Sequence, residues 1–91
     1  MPAKIQQKES RDITLRFIRS YEELRYRGLV TTKKEFCEIV GIGVSSNLKR
    51  MEDSETYEPT LTQVALLVTK FNVSPNWLLL GKGDFLSKTL K

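Results

Sequence analysis

The chain has no histidine and a single cysteine, Cys37, among its 91 residues. A tetrahedral zinc site draws on several Cys and His ligands, and the common nucleophilic centres pair Ser or Cys with His. Neither can be assembled within one such chain. One cysteine forbids an internal disulfide, and nothing points to an oxidising compartment. No apolar run approaches the roughly 20 residues that a membrane-spanning helix needs. The opening MPAKIQQKES has no apolar h-region of the kind that marks a secretion signal. Glycine (five) and proline (three) are sparse, and no glycine-rich loop could cradle a phosphate; GKGDF is too short and lies too near the end. These absences predict a cytoplasmic protein that is not an enzyme, needs no metal or cofactor and does not enter a membrane.

What is present is charge, unevenly placed. The formal net charge is +4, with 15 Lys and Arg against 11 Asp and Glu, and 40% of the residues are hydrophobic. That apolar share is ordinary for a globular domain, and the length suits one small core. Residues 1–50 hold eleven basic and six acidic side chains, whereas residues 51–91 hold four and five. The basic half permits a polyanionic partner.

The pattern of apolar residues predicts an all-α domain of five helices. Residues 1–10 lack periodicity and are expected to form a flexible basic arm; residues 11–86 form the domain and 87–91 a short tail. Helix one is expected over residues 12–27. Ile13, Phe17, Tyr21 and Leu24 share one face with Ile18 beside them, and Gly28 stops it. On its other sides, Arg11, Arg16 and Arg19 are expected to be solvated or paired with Glu22 and Glu23. Thr32-Lys33-Lys34-Glu35 reads as a capping box that opens helix two, with Phe36, Ile39 and Val40 buried and Cys37 beside them. Thr60-Leu61-Thr62-Gln63 is a second capping box. It opens helix four, whose expected stripe is Leu61, Val64, Ala65, Val68 and Phe71, widened by Leu67. Ser74-Pro75 opens helix five, Trp77-Leu78-Leu79-Leu80 continues it, and Phe85 in the tail is expected to pack.

Between helices two and four lies GIGVSSNLKRME, residues 41–52. At about 100° per residue, Val44, Leu48 and Met51 share a seam that can face the core. Ser46, Lys49 and Arg50 then point outward, with Ser45 and Asn47 on the flanks. Small donors and basic side chains on one face suit the DNA major groove, where Arg or Lys reaches guanine O6/N7 and Asn pairs with adenine N6/N7. A solvated surface helix is the other reading of this stretch alone. The neighbour favours DNA, because a short, capped helix with a basic N-terminus joined through a few residues to a polar helix has the layout of a helix-turn-helix.

Three segments carry a family resemblance: TKKEFCEIVGI, NLKRME and YEPTLTQVALLVTKFNVSPNWLLLGKGDF. Through them, residues 31–86 resemble the phage-repressor (Xre/Cro-type) helix-turn-helix family. The resemblance implies a compact five-helix, lambda-repressor-like domain that binds operator DNA, usually as a dimer. By position it assigns Lys33 to a first-turn phosphate or base contact and Cys37 to a site usually filled by a small core residue. It assigns Ser45, Ser46, Asn47, Lys49 and Arg50 to the recognition face. Lys34 and the Thr32 hydroxyl, at the start of helix two, complete the expected DNA-binding set. The chain departs from the family in one respect: Leu48 lies seven residues after Gly41 instead of six. Gly43 is the expected extra residue in a lengthened turn, and either Gly43 or Ser45 could cap helix three.

The expected function is sequence-specific binding of double-stranded DNA as a transcriptional regulator, a repressor of phage or mobile-element type. Three consecutive leucines point about 100° apart and cannot all face one core. Trp77, Leu78, Leu79 and Leu80 are therefore the expected homodimer interface. The alternative from a different class is a protein-interaction module such as an antitoxin, with the helix-turn-helix as scaffold and the WLLL segment and tail as interface for a protein partner.

Overall fold

A computed structural model describes residues 8–54 and 57–87. These residues form five helices: α1 (Lys8–Tyr26), α2 (Lys33–Val40), α3 (Ser46–Asp53), α4 (Leu61–Phe71) and α5 (Pro75–Leu80). Among the described residues there is no strand, only an isolated antiparallel bridge between Val73 and Leu86. The all-α, five-helix expectation holds.

α1 is longer than its apolar periodicity suggests. It begins at Lys8, so residues 8–10 of the expected arm are helical. The first turn is held by a Lys8–Asp12 ion pair at 2.6 Å, an i, i+4 contact that needs no apolar residue. Residues 1–7 of the arm and 88–91 of the tail lie outside the described residues. Phe17, Ile18, Tyr21 and Leu24 are buried. Thr14 and Ser20 are buried too, and each hydroxyl donates to the carbonyl four residues earlier, at 2.9 Å in both cases. That satisfies a polar group which would otherwise cost stability in the core.

Both N-terminal caps form, one with a shift. Glu35 N–H donates to Thr32 Oγ1 at 3.0 Å as expected. The Glu35 carboxylate, however, accepts from the backbone N–H and the hydroxyl of Thr31, each at 2.9 Å, and so closes one residue before the expected box. These bonds hold its pKa below the usual value. At α4 the reciprocal box is complete between Thr60 and Gln63. α4 itself is rotated from the expected stripe. Leu67 is its one fully buried residue, whereas Leu61 is 88% exposed and Ala65 is exposed. α4 packs on α2. Val64, Leu66, Val68 and Phe71 are half-buried against the core on either side of Leu67.

Phe36 is the centre of that core. Its ring lies 6.0 Å from Phe17, 5.3 Å from Tyr21 and 5.9 Å from Phe71, joining α1, α2 and α4. α1 also packs on α3 and α5, and two of its arginines fasten those helices. Arg11 donates through Nη1 to the carbonyls of Met51 (2.8 Å) and Ser54 (3.1 Å), and through Nη2 to that of Glu52 (2.9 Å). Arg16 donates through Nε to the Leu78 carbonyl (2.7 Å) and through Nη2 to that of Leu79 (3.0 Å). A helix C-terminus leaves carbonyls without intrahelical donors and carries partial negative charge, so a guanidinium fits it. The expected pairing of these arginines with Glu22 and Glu23 is therefore corrected. Glu23 pairs with Arg27 (2.8 Å), and Arg19 lies over the Trp77 ring at 5.9 Å.

Candidate nucleic-acid interface

The turn before α3 runs from Gly41 to Ser45. Gly41 takes the left-handed conformation at φ 84°, and an added Cβ would meet Leu66 Cδ1 at 3.3 Å. The next residue, Ile42, is buried, and its N–H donates to the Cys37 carbonyl at 2.8 Å. Ile42 is thus the apolar anchor of the turn. Val44 is 58% exposed and lies outside the helix, so the expected three-residue seam reduces to Leu48 and Met51. Gly43 has no left-handed φ, and a Cβ there would meet nothing within 4 Å. The longer turn does not depend on glycine at that position.

Of the two expected caps at α3, Ser45 holds the N-cap position, without a side-chain bond, and Gly43 does not. Ser45 precedes the helix with helical backbone angles (φ −63°, ψ −25°), and its side chain makes no capping bond. Tight backbone bonds open the helix instead, from Asn47 N–H to the Val44 carbonyl (2.9 Å) and from Leu48 N–H to the Ser45 carbonyl (3.1 Å). The C-terminal end is held by Arg11.

Around this frame, Thr32, Lys33, Lys34, Ser45, Ser46, Lys49 and Arg50 are exposed and Asn47 is half-buried on the flank. One cleft brings the start of α2 beside α3, and a second lies between α2 and the turn that precedes α3. Lys33 and Lys49 line a small cleft of about 60 Å³ with Leu48, Ile18 and Tyr21, and Glu22 and Glu52 share its rim. Lys34 and Ser45 line a wider one of about 320 Å³ with Cys37, Ile42 and Val44. Burial pushes the Cys37 thiol pKa up, against a smaller opposing effect of Lys33, so the group stays protonated and unreactive.

The cations differ in what holds them. Lys49 pairs with Asp53 at 3.4 Å along the helix. Arg50 stacks over the Tyr57 ring at 4.8 Å. Among the described residues, Lys33 and Lys34 have no ion-pair partner, and their backbone N–H groups have no acceptor. These are the free donors of a helix N-terminus, where an anion is stabilised.

No family model matches the chain, and neither does any curated protein or solved structure. The phage-repressor resemblance stands on its residues alone.

The expected dimer residues do not form one surface. Leu78 is fully buried, and Trp77 is half-buried with its ring edge-on to Phe85 at 4.8 Å. The tail segment is pinned there by Ser74 N–H to the Phe85 carbonyl (2.7 Å) and Ser87 N–H to the Asn72 carbonyl (2.8 Å). Leu79 (45%) and Leu80 (64%) remain exposed. Leu79 borders an apolar groove of about 190 Å³ with Ile13, Pro59, Leu61 and Val64.

Three participants escaped the sequence reading. Ile42 carried a signal, since a β-branched residue between two glycines is an apolar anchor in a turn. Arg11 and Tyr57 carried none. Arg11 acts across forty residues of sequence, and Tyr57 sits in a loop with no period to follow.

Proposed function

We propose that the protein is a sequence-specific DNA-binding regulator that occupies operator DNA with α3 in the major groove and the start of α2 on the phosphate backbone. The observation that carries this is the juxtaposition of Lys33 with Lys49 at the small cleft between α2 and α3. Lys33 and its neighbour Lys34, without ion-pair partners among the described residues and with free backbone N–H groups, open the helix that meets α3 there, and α3 exposes Ser46, Lys49 and Arg50 with Asn47 on its flank. Cationic donors at a helix N-terminus hold phosphate, and a neighbouring helix of small and basic side chains can read base edges. α3 is anchored from behind by Leu48 and Met51 and at its end by Arg11, so its outward face is presented on a fixed support.

Regulation follows from occupancy alone, in the cytoplasm, with no chemistry of the protein's own. A second copy is part of the proposal, since one module of this size covers too little DNA for strong specificity and a dimer reads two half-sites about 34 Å apart. Exposed Leu79 and Leu80 support a contact between copies. The apolar groove that Leu79 borders also favours a second reading, a protein-interaction module of antitoxin type. Fluorescence anisotropy with duplex DNA over a range of salt tests the leading proposal. A log–log slope of several units is expected, and Lys33→Ala should reduce it by about one. A slope near zero refutes it.

A further inference from the structure

We infer that Tyr57 is a positioning residue for Arg50, and that the stacked pair makes this chain select guanine at one position of each half-site. The inference rests on the DNA-binding proposal above. Arg50 lies near the middle of the outward side of α3, about 40° from Ser46 on the helical wheel and well away from buried Leu48 and Met51. Its guanidinium sits over the Tyr57 ring, 4.8 Å from the centroid. That ring is a fixed platform. Tyr57 is half-buried against the core, and its N–H donates to the Ser54 carbonyl at 3.3 Å, one residue beyond the end of α3.

A contact of the guanidinium with a ring face uses its charge and none of its N–H donors. All five N–H donors lie in the plane, and among the described residues none of those of Arg50 is spent on a protein acceptor. The arginine is therefore held by the ring with its donors available. Guanine presents two acceptors, O6 and N7, side by side in the major groove, whereas adenine presents one acceptor and one donor. A planar fork with restricted rotation discriminates between them, because it loses little freedom on meeting the matched edge and cannot turn to satisfy the mismatched one. Lys49 offers a contrast one residue away: a point charge on a flexible stem, tied to Asp53.

The experiment uses the full chain and the duplex it enriches from a random pool, together with duplexes in which each enriched guanine pair is replaced in turn. The unaltered protein and Tyr57→Phe should prefer guanine at one half-site position by about tenfold or more. Tyr57→Leu should reduce that ratio by about two- to fivefold, the loss expected for a partly exposed cation–π contact. Ratios at the other positions and the salt slope should stay unchanged, since the charge on Arg50 remains. Arg50→Lys should lose most of the preference. If Tyr57→Leu does not fold, Tyr57→Met keeps an apolar side chain without the ring. In the free protein, the Arg50 side-chain protons should also show a ring-current shift by NMR. A uniform loss on every duplex marks Tyr57 as merely structural or Arg50 as a phosphate contact, and overturns the inference. So does an unchanged guanine ratio or the absence of the ring-current shift. If no sequence is enriched at all, the DNA-binding proposal fails and this inference with it; an enriched site whose guanine preference ignores Tyr57 sinks the inference alone.

Discussion

Arg11→Ala is expected to destabilise α3 from a position on a different helix. The guanidinium makes three hydrogen bonds to the last carbonyls of α3 and its cap residue, at 2.8, 3.1 and 2.9 Å. A bond from a charged donor can contribute about 1.5–3 kcal/mol, but these carbonyls lie near solvent and water takes up part of the loss. About 0.7–1 kcal/mol for each is then reasonable, or about 2–3 kcal/mol together. In a domain of this size, that lowers the melting temperature by about 10–20 °C. Arg11→Lys retains the charge but not the fork, and should lose about half as much. Circular dichroism melts give the total. Amide hydrogen exchange locates it, with residues 46–53 losing protection more than residues 33–40. A shift below about 3 °C, or equal loss of protection in both helices, refutes the claim that Arg11 fastens α3.

Gly41→Ala should cost about 1–2 kcal/mol through its left-handed backbone, with the 3.3 Å approach to Leu66 added. Gly43→Ala should be neutral or stabilising by up to about 1 kcal/mol; urea midpoints that fall equally would contradict this account of the turn. Glu35 has its folded pKa lowered from 4.5 by the Thr31 N–H and hydroxyl. Its contribution is therefore present above that value and lost as pH falls through the lower folded one. Stability measured from neutral to acid pH should show Glu35→Gln below the unaltered protein at pH 7, with the gap closing in acid; a gap independent of pH would count against the Thr31 contact. Leu80→Glu should abolish concentration-dependent association in sedimentation runs without lowering the melting temperature, and a monomer mass for the unaltered chain up to high micromolar, with and without DNA, removes the dimer.

Elements with local signals were legible in the sequence. Thr60/Gln63 and Ser74-Pro75 set the starts of α4 and α5 by bonds spanning three residues, and such spacing is written in the chain. Phe17, Tyr21 and Leu24 share a helical period, and all three are buried. What failed to show was the outcome of packing. The expected stripe of α4 placed Leu61 in the core and Leu67 at its margin, whereas Leu67 is buried and Leu61 exposed where α4 packs on α2. Val44 fitted the seam of α3 on the assumption that the helix began early; the buried Ile42 holds the turn and leaves Val44 outside. At the candidate site, the exposure of Lys33, Lys34, Ser46 and Arg50 followed the pattern. Which cations are free was not legible, because Arg11 is engaged across the fold and Arg50 by the ring of a loop residue.

The central claim is that α3 reads DNA sequence, and in vitro selection from a random duplex pool tests it most directly. The account predicts an enriched site with two related half-sites about 34 Å apart, centre to centre, and loss of that enrichment with Arg50→Ala. A pool that emerges without sequence preference, or an enriched site that Arg50→Ala binds as well as the unaltered protein does, would contradict it.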